Sequence, residues 1–156
     1  MRKITYSTVL VLVLLACTQN ENKSTRTHSS QFKTNKEKLA FLRKYVVNHS
    51  KVLDAEYTIW YQDNSTGGVP GPSDYLMSVA IKTDKDSIGR WVSGFKRENF
   101  AVTNELWKDL PIQHWQLAGE AQVFTAGSSL KVIYPESGVL LGYFSSMPTD
   151  FDKYKK

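Results

Sequence analysis

The stretch Val52-Leu53-Asp54-Ala55-Glu56-Tyr57-Thr58-Ile59-Trp60-Tyr61-Gln62 decides the fold class. Ala55, Tyr57, Ile59 and Tyr61 fall on one face of an extended chain, and Glu56, Thr58, Trp60 and Gln62 on the other. Period two with aromatic and β-branched enrichment reads as a half-buried strand. Outward from it, Tyr75–Lys82 repeats the pattern, with Tyr75, Met77, Val79 and Ile81 alternating against Leu76, Ser78 and Ala80. Between the two lies Asp63-Asn64-Ser65-Thr66-Gly67-Gly68-Val69-Pro70-Gly71-Pro72-Ser73-Asp74, rich in turn-formers. Upstream, Thr34 and Glu37 form a capping-box pair. Leu39, Phe41, Leu42, Tyr45 and Val46 then recur at helical spacing, up to Asn48-His49-Ser50.

Downstream, Asp84 or Asp86 opens a short helix through Trp91 and Val92, closed by Gly94. Glu105–Asp109 reads as a single helical turn stopped by Pro111. Ala121–Thr125, Leu130–Tyr134 and Val139–Ser145 read as three strands joined by the turns Ala126-Gly127-Ser128-Ser129 and Pro135-Glu136-Ser137-Gly138. The order α-β-β-α-β-β-β predicts an α+β domain: a mainly antiparallel sheet of about five strands with helices packed on one face.

The N-terminus carries a different message. Arg2 and Lys3 precede the apolar run Val9–Ala16, which ends at Cys17, the one cysteine of the chain. A positive start and an apolar stretch of roughly 7–15 residues describe a secretory leader; a membrane span needs ~20 apolar residues. Leu14-Leu15-Ala16-Cys17 resembles the lipobox of bacterial lipoproteins, although Leu15 stands where Ala, Ser or Thr is more usual. The resemblance covers the first 17 residues. It implies a signal peptide at 1–16, acylation of Cys17, and an extracytoplasmic, lipid-anchored protein of the cell envelope. Thr18 in place of aspartate favours the outer membrane in an organism that has one.

With Cys17 acylated no thiol remains for a disulfide, so packing alone stabilises the domain. Thr18 to Phe32 is polar, and 17–33 reads as the acylated cysteine and a flexible tether with an r.m.s. reach of ~20–25 Å, in which His28 is solvated. A single globular domain is expected over 34–148 and a charged tail over 149–156. The formal charge of +5, two of it in the leader, is too dispersed for a nucleic-acid footprint.

The Asp63–Asp74 loop is the most distinctive segment. Its prolines fix φ on a stiff connection carrying Asp63, Asn64, Ser65 and Asp74, the candidate binding residues together with Trp60. The same stretch resembles segments of uncharacterised bacterial proteins, a likeness that implies no activity. Hard oxygen ligands in the loop raise calcium, but the EF-hand pattern is absent; zinc lacks paired histidines. Neither a metal nor a cofactor is expected. No Gly-x-Ser-x-Gly elbow or phosphate loop is present. His49 and His114 are the histidines of the expected domain, and Asp54 and Glu56 share a strand face as a possible acid–base pair. With no catalytic residue assigned, the expectation is a non-enzymatic binding or accessory domain. It is held to the membrane through lipid on Cys17 and meets a protein or glycan partner of the envelope. An immunity or inhibitor protein against a periplasmic toxin or hydrolase, and a small envelope hydrolase, are the alternatives.

Overall fold

A computed structural model describes residues 23–47, 49–65 and 71–156. The leader, Cys17 and the middle of the Asp63–Asp74 loop lie outside the described residues. Seven strands form one sheet: β1 (Ser24–His28), β2 (Val52–Asp63), β3 (Ser73–Thr83), β4 (Lys96–Glu98), β5 (Gln122–Ala126), β6 (Ser129–Tyr134) and β7 (Val139–Ser145). Their spatial order is β1-β2-β3-β7-β6-β5-β4, every neighbouring pair antiparallel. The mixed, mainly antiparallel class is as expected; the strand count and order are not. The two additional strands are the sheet edges, β1 and β4.

β1 lies inside the stretch expected to be a flexible tether, 17–33, and replaces that tether over residues 24–28, while 17–22 lie outside the described residues. Ser24-Thr25-Arg26-Thr27-His28 has no apolar residue, but an edge strand needs only one hydrogen-bonded neighbour, and β2 supplies it in register from Ser24↔Gln62 to His28↔Thr58. His28 is half-buried, its Nδ1 3.1 Å from Thr58 Oγ1, not simply solvated. Polar edges also resist pairing with other chains. The 149–156 segment is likewise part of the fold. Phe151 meets the Tyr143 ring edge-on, Thr103 N–H donates to Tyr154 C=O, and Lys156 N–H donates to Ala101 C=O.

α1 (Asn35–Leu42) starts where the capping box placed it. Glu37 N–H donates to Thr34 Oγ1, and Thr34 N–H donates to Glu37 Oε2, both at 3.2 Å. The helix stops short of Asn48: residues 43–46 tighten into i→i+3 and i→i+4 turns ahead of two β-branched valines that disfavour continuation. Thr34→Ala is expected to cost about 1 kcal/mol, read as a lowered urea midpoint at unchanged slope. Lys85–Val92 is a 3-10 helix, a form in which residues three apart eclipse; this turns Ile88 and Trp91 together into the core. Gly94, at φ +80°, follows it in the left-handed region.

Both faces of the sheet are covered. On one, Tyr57, Ile59, Met77, Val79, Ile81 and Leu140 pack against Leu42, Ile88 and Trp91. On the other, Ala80, Val123, Val132, Leu141 and Tyr143 lie under Leu106, Trp107, Leu110 and Trp115. α1 and the Lys85–Val92 helix thus pack on the same face, while the opposite face is closed by chain with no long helix. The second layer is the 99–118 segment, an irregular chain with a 3-10 turn at Asn104–Leu106. Trp107 pins it by donating from Nε1 to Gly142 C=O at 2.9 Å.

Candidate functional site

Asp63, Asn64, Ser65 and Asp74 do come together, where β2 leaves the sheet and β3 enters it. The Ser65 hydroxyl, and after it the Ser65 N–H donating to Asp63 Oδ1 at 2.8 Å, hold the Asp63 carboxyl below the usual carboxylate range, Lys23 assisting. Lys23 Nζ donates to Ser65 Oγ at 3.0 Å and lies 3.9 Å from Asp63. Asn64 Nδ2 donates to Asp74 Oδ2 at 2.7 Å, and Ser146 Oγ donates to Asp74 Oδ1 at 3.1 Å. Each carboxylate is thus occupied by neighbours within the chain, the pattern of Asx-type capping. Trp60 takes no part in this network. It stands on β2 in register with Arg26 and Leu76, half-buried on the second sheet face.

The Asp54 and Glu56 carboxylates also meet a partner. Lys38 of α1 reaches both, at 2.8 and 2.7 Å, while the Ser29 hydroxyl donates to Glu56. Glu56 is buried, not on an exposed strand face. Burial opposes the lysine charge, but hydrogen bonds to Asp54 and Glu56 outweigh it and raise the Lys38 pKa. A cation held between two carboxylates is a structural clamp joining α1, β2 and the Ser29–Gln31 turn. His49 and His114 each stack edge-on against a different tryptophan, Trp91 and Trp115. Among the described residues no group of three or more His, Cys, Asp or Glu could hold a metal ion.

A larger cleft than any formed by these residues lies elsewhere, beside edge strand β4. It measures about 550 Å³ and is bounded by β4, the start of β5, the end of β6, the first half of β7 and the 99–104 segment. Buried Val123, Val132, Leu141 and Trp107 make its apolar floor. Arg97, Asn99, Asn104, Glu120 and Lys156 stand exposed around it. Glu98, also lining the cleft, accepts from Thr125 Oγ1 at 2.7 Å and pairs with Lys96. The Thr125 hydroxyl, then Lys96 and Lys155, lower its pKa. The Arg97 guanidinium and the Glu120 carboxylate make no such side-chain contact among the described residues.

Sequence reasoning missed this cleft because its walls come from positions 97 to 156 and no periodicity links them. A concave site with an apolar floor and a few free polar groups is the usual form of a ligand pocket. Compared with known family models, curated proteins and solved structures, the chain matches none.

Proposed function

We propose that this chain is a lipid-anchored extracytoplasmic bacterial lipoprotein whose α+β domain is a non-enzymatic binding module of the cell envelope. The observation that carries it is the leader ending in Leu14-Leu15-Ala16-Cys17. Among the described residues no helix is long and apolar enough to cross a membrane; in this reading the anchor is lipid on Cys17. Two or more acyl chains hold a protein firmly where one binds reversibly. The cleft beside β4 supports the binding half of the reading: it joins apolar floor to free cationic, anionic and amide groups. The Asp63–Asp74 network, with its carboxylates already engaged, serves better as a rigid connection than as the ligand site.

Two measurements test this. Metabolic labelling with palmitate should mark the wild-type protein and leave Cys17→Ala unmarked and free of the membrane fraction. A photo-crosslinking residue placed at Asn99, in the cleft, should give a discrete adduct in living cells that the same residue at Lys36, on the exposed side of α1, does not. Ala121→Trp, which fills the cleft, should reduce that adduct at least tenfold. Equal adducts from both positions, or an adduct indifferent to Ala121→Trp, would remove the cleft from the proposal.

A further inference from the structure

The described fold begins at Lys23, and only Thr18–Asn22 separate it from Cys17. An extended chain spans at most ~3.3–3.6 Å per residue, so Lys23 lies within ~20 Å of an acylated Cys17 however that segment runs. β1 therefore begins close to the bilayer. The end of the sheet that follows is fixed by register: Ser24 faces Gln62, Asp63 faces Ser73, and Leu76 faces Ser145. Asp63 N–H donates to Lys23 C=O, and Ser146 N–H to Tyr75 C=O. The start of β1, the end of β2, the start of β3 and the end of β7 thus share one end.

That end carries exposed apolar side chains. Tyr75 is 43% exposed and Met147, next to Ser146, is 39% exposed. Tyr75 also shares a groove of about 300 Å³ with Ile59, Met77, Phe144 and Tyr45, the last 47% exposed. The acids at this end, Asp63 and Asp74, are already engaged by Lys23, Ser65, Asn64 and Ser146. Tyrosine suits a bilayer interface, with its ring in the acyl boundary and its hydroxyl among headgroups. A patch too small to bind membrane alone is held there at high effective concentration by the anchor.

We propose that this end of the sheet docks on the phospholipid surface, with Tyr75, Tyr45 and Met147 entering the interface. The domain then lies against the membrane in a set orientation and is not carried on a free stalk. The cleft, lined by Gln122, Tyr134 and Leu141 toward the opposite ends of β5, β6 and β7, faces away from the bilayer. The proposal rests on the lipid-anchor reading, and its experiment separates the two.

Full-length acylated protein is reconstituted in phosphatidylethanolamine/phosphatidylglycerol vesicles, its acylation checked by mass spectrometry. A polarity-sensitive fluorophore is placed on Met147→Cys or, at the opposite end of the sheet, on Glu136→Cys. Nitroxide-bearing lipids should quench the first at least twofold and leave the second unchanged. Tyr45→Glu/Tyr75→Glu, verified as folded by circular dichroism, should bring quenching at 147 down to that at 136. Equal quenching at the two positions in acylated protein, quenching at 147 unmoved by the two glutamates, or cross-linking of position 147 to a second copy would overturn the docking and leave the anchor standing. Absence of acylation would overturn the anchor and the docking with it.

Discussion

Lys38→Met is expected to destabilise the domain by roughly 3–5 kcal/mol, the cost of leaving buried charge without its partner. The Lys38 side chain is 13% exposed and that of Glu56 11%, so water cannot replace the lost ammonium. Two carboxylates, Asp54 and Glu56, would then face each other across one strand face with their countercharge gone. The Ser29 hydroxyl alone would remain on Glu56. The loss has a structural direction. The Lys38 carbonyl accepts from Tyr57 OH at 2.9 Å, and Asn35 Nδ2 donates to Leu53 C=O at 3.0 Å, so α1 keeps two neutral ties to β2. Hydrogen exchange should therefore quicken first at the Ser29–Gln31 turn and β1, and only later in α1. Urea unfolding supplies the magnitude, and Lys38→Met/Glu56→Gln should recover part of it by removing one of the stranded charges. A midpoint shift worth less than about 1 kcal/mol would place the triad among solvent-screened surface pairs.

This clamp shows where sequence reading reaches its limit. The alternation that placed Asp54 and Glu56 on one face was legible, and so were β2 and β3 by their period; β6 and β7, buried on both faces, were legible from the turns that bound them. The capping box of α1 and the glycine after Val92 were legible as local chemistry. β1 was not, since an edge strand made of Ser, Thr, Arg and His has the composition of a tether. Nor was the 99–118 layer, where Leu106, Trp107, Leu110 and Trp115 reach the core from irregular backbone at no fixed period. The lysine facing Asp54 and Glu56 sits on another element, and only the fold brings it there. The same holds for the cleft. Of the candidate residues, Asp63, Asn64, Ser65 and Asp74 do cluster, but their polarity is spent on one another.

The buried lysine of β6 yields the other large effect. Lys131 lies between Leu130 and Val132, in a strand buried on both faces, and is 5% exposed. Gly142 stands opposite it, and the absence of a side chain there leaves room for the Phe144 ring. The Lys131 ammonium donates to the Trp91 carbonyl and sits 3.9 Å from the centre of the Phe95 ring and 5.7 Å from that of Phe144. No carboxylate pairs with it among the described residues. Burial pushes its pKa down to about 8, whereas in the unfolded chain it returns to the ordinary lysine value of about 10.4. Between those values the unfolded state holds more protons than the folded one, so stability rises with pH. The full gain is on the order of 3 kcal/mol, and it is absent below pH 8. Above about pH 10 the trend reverses, because burial pushes the Tyr57 and Tyr134 phenols up and ionisation then favours the unfolded chain. The melting temperature of the wild type should accordingly climb between about pH 7.5 and 9.5. Lys131→Met, of similar length and without charge, should give a flat profile over that interval. At pH 7 the variant should be the more stable by about 1 kcal/mol, the ring contacts and one hydrogen bond having returned only part of the desolvation cost. A methionine variant whose melting temperature still climbs over the same interval would assign the pH dependence to another group.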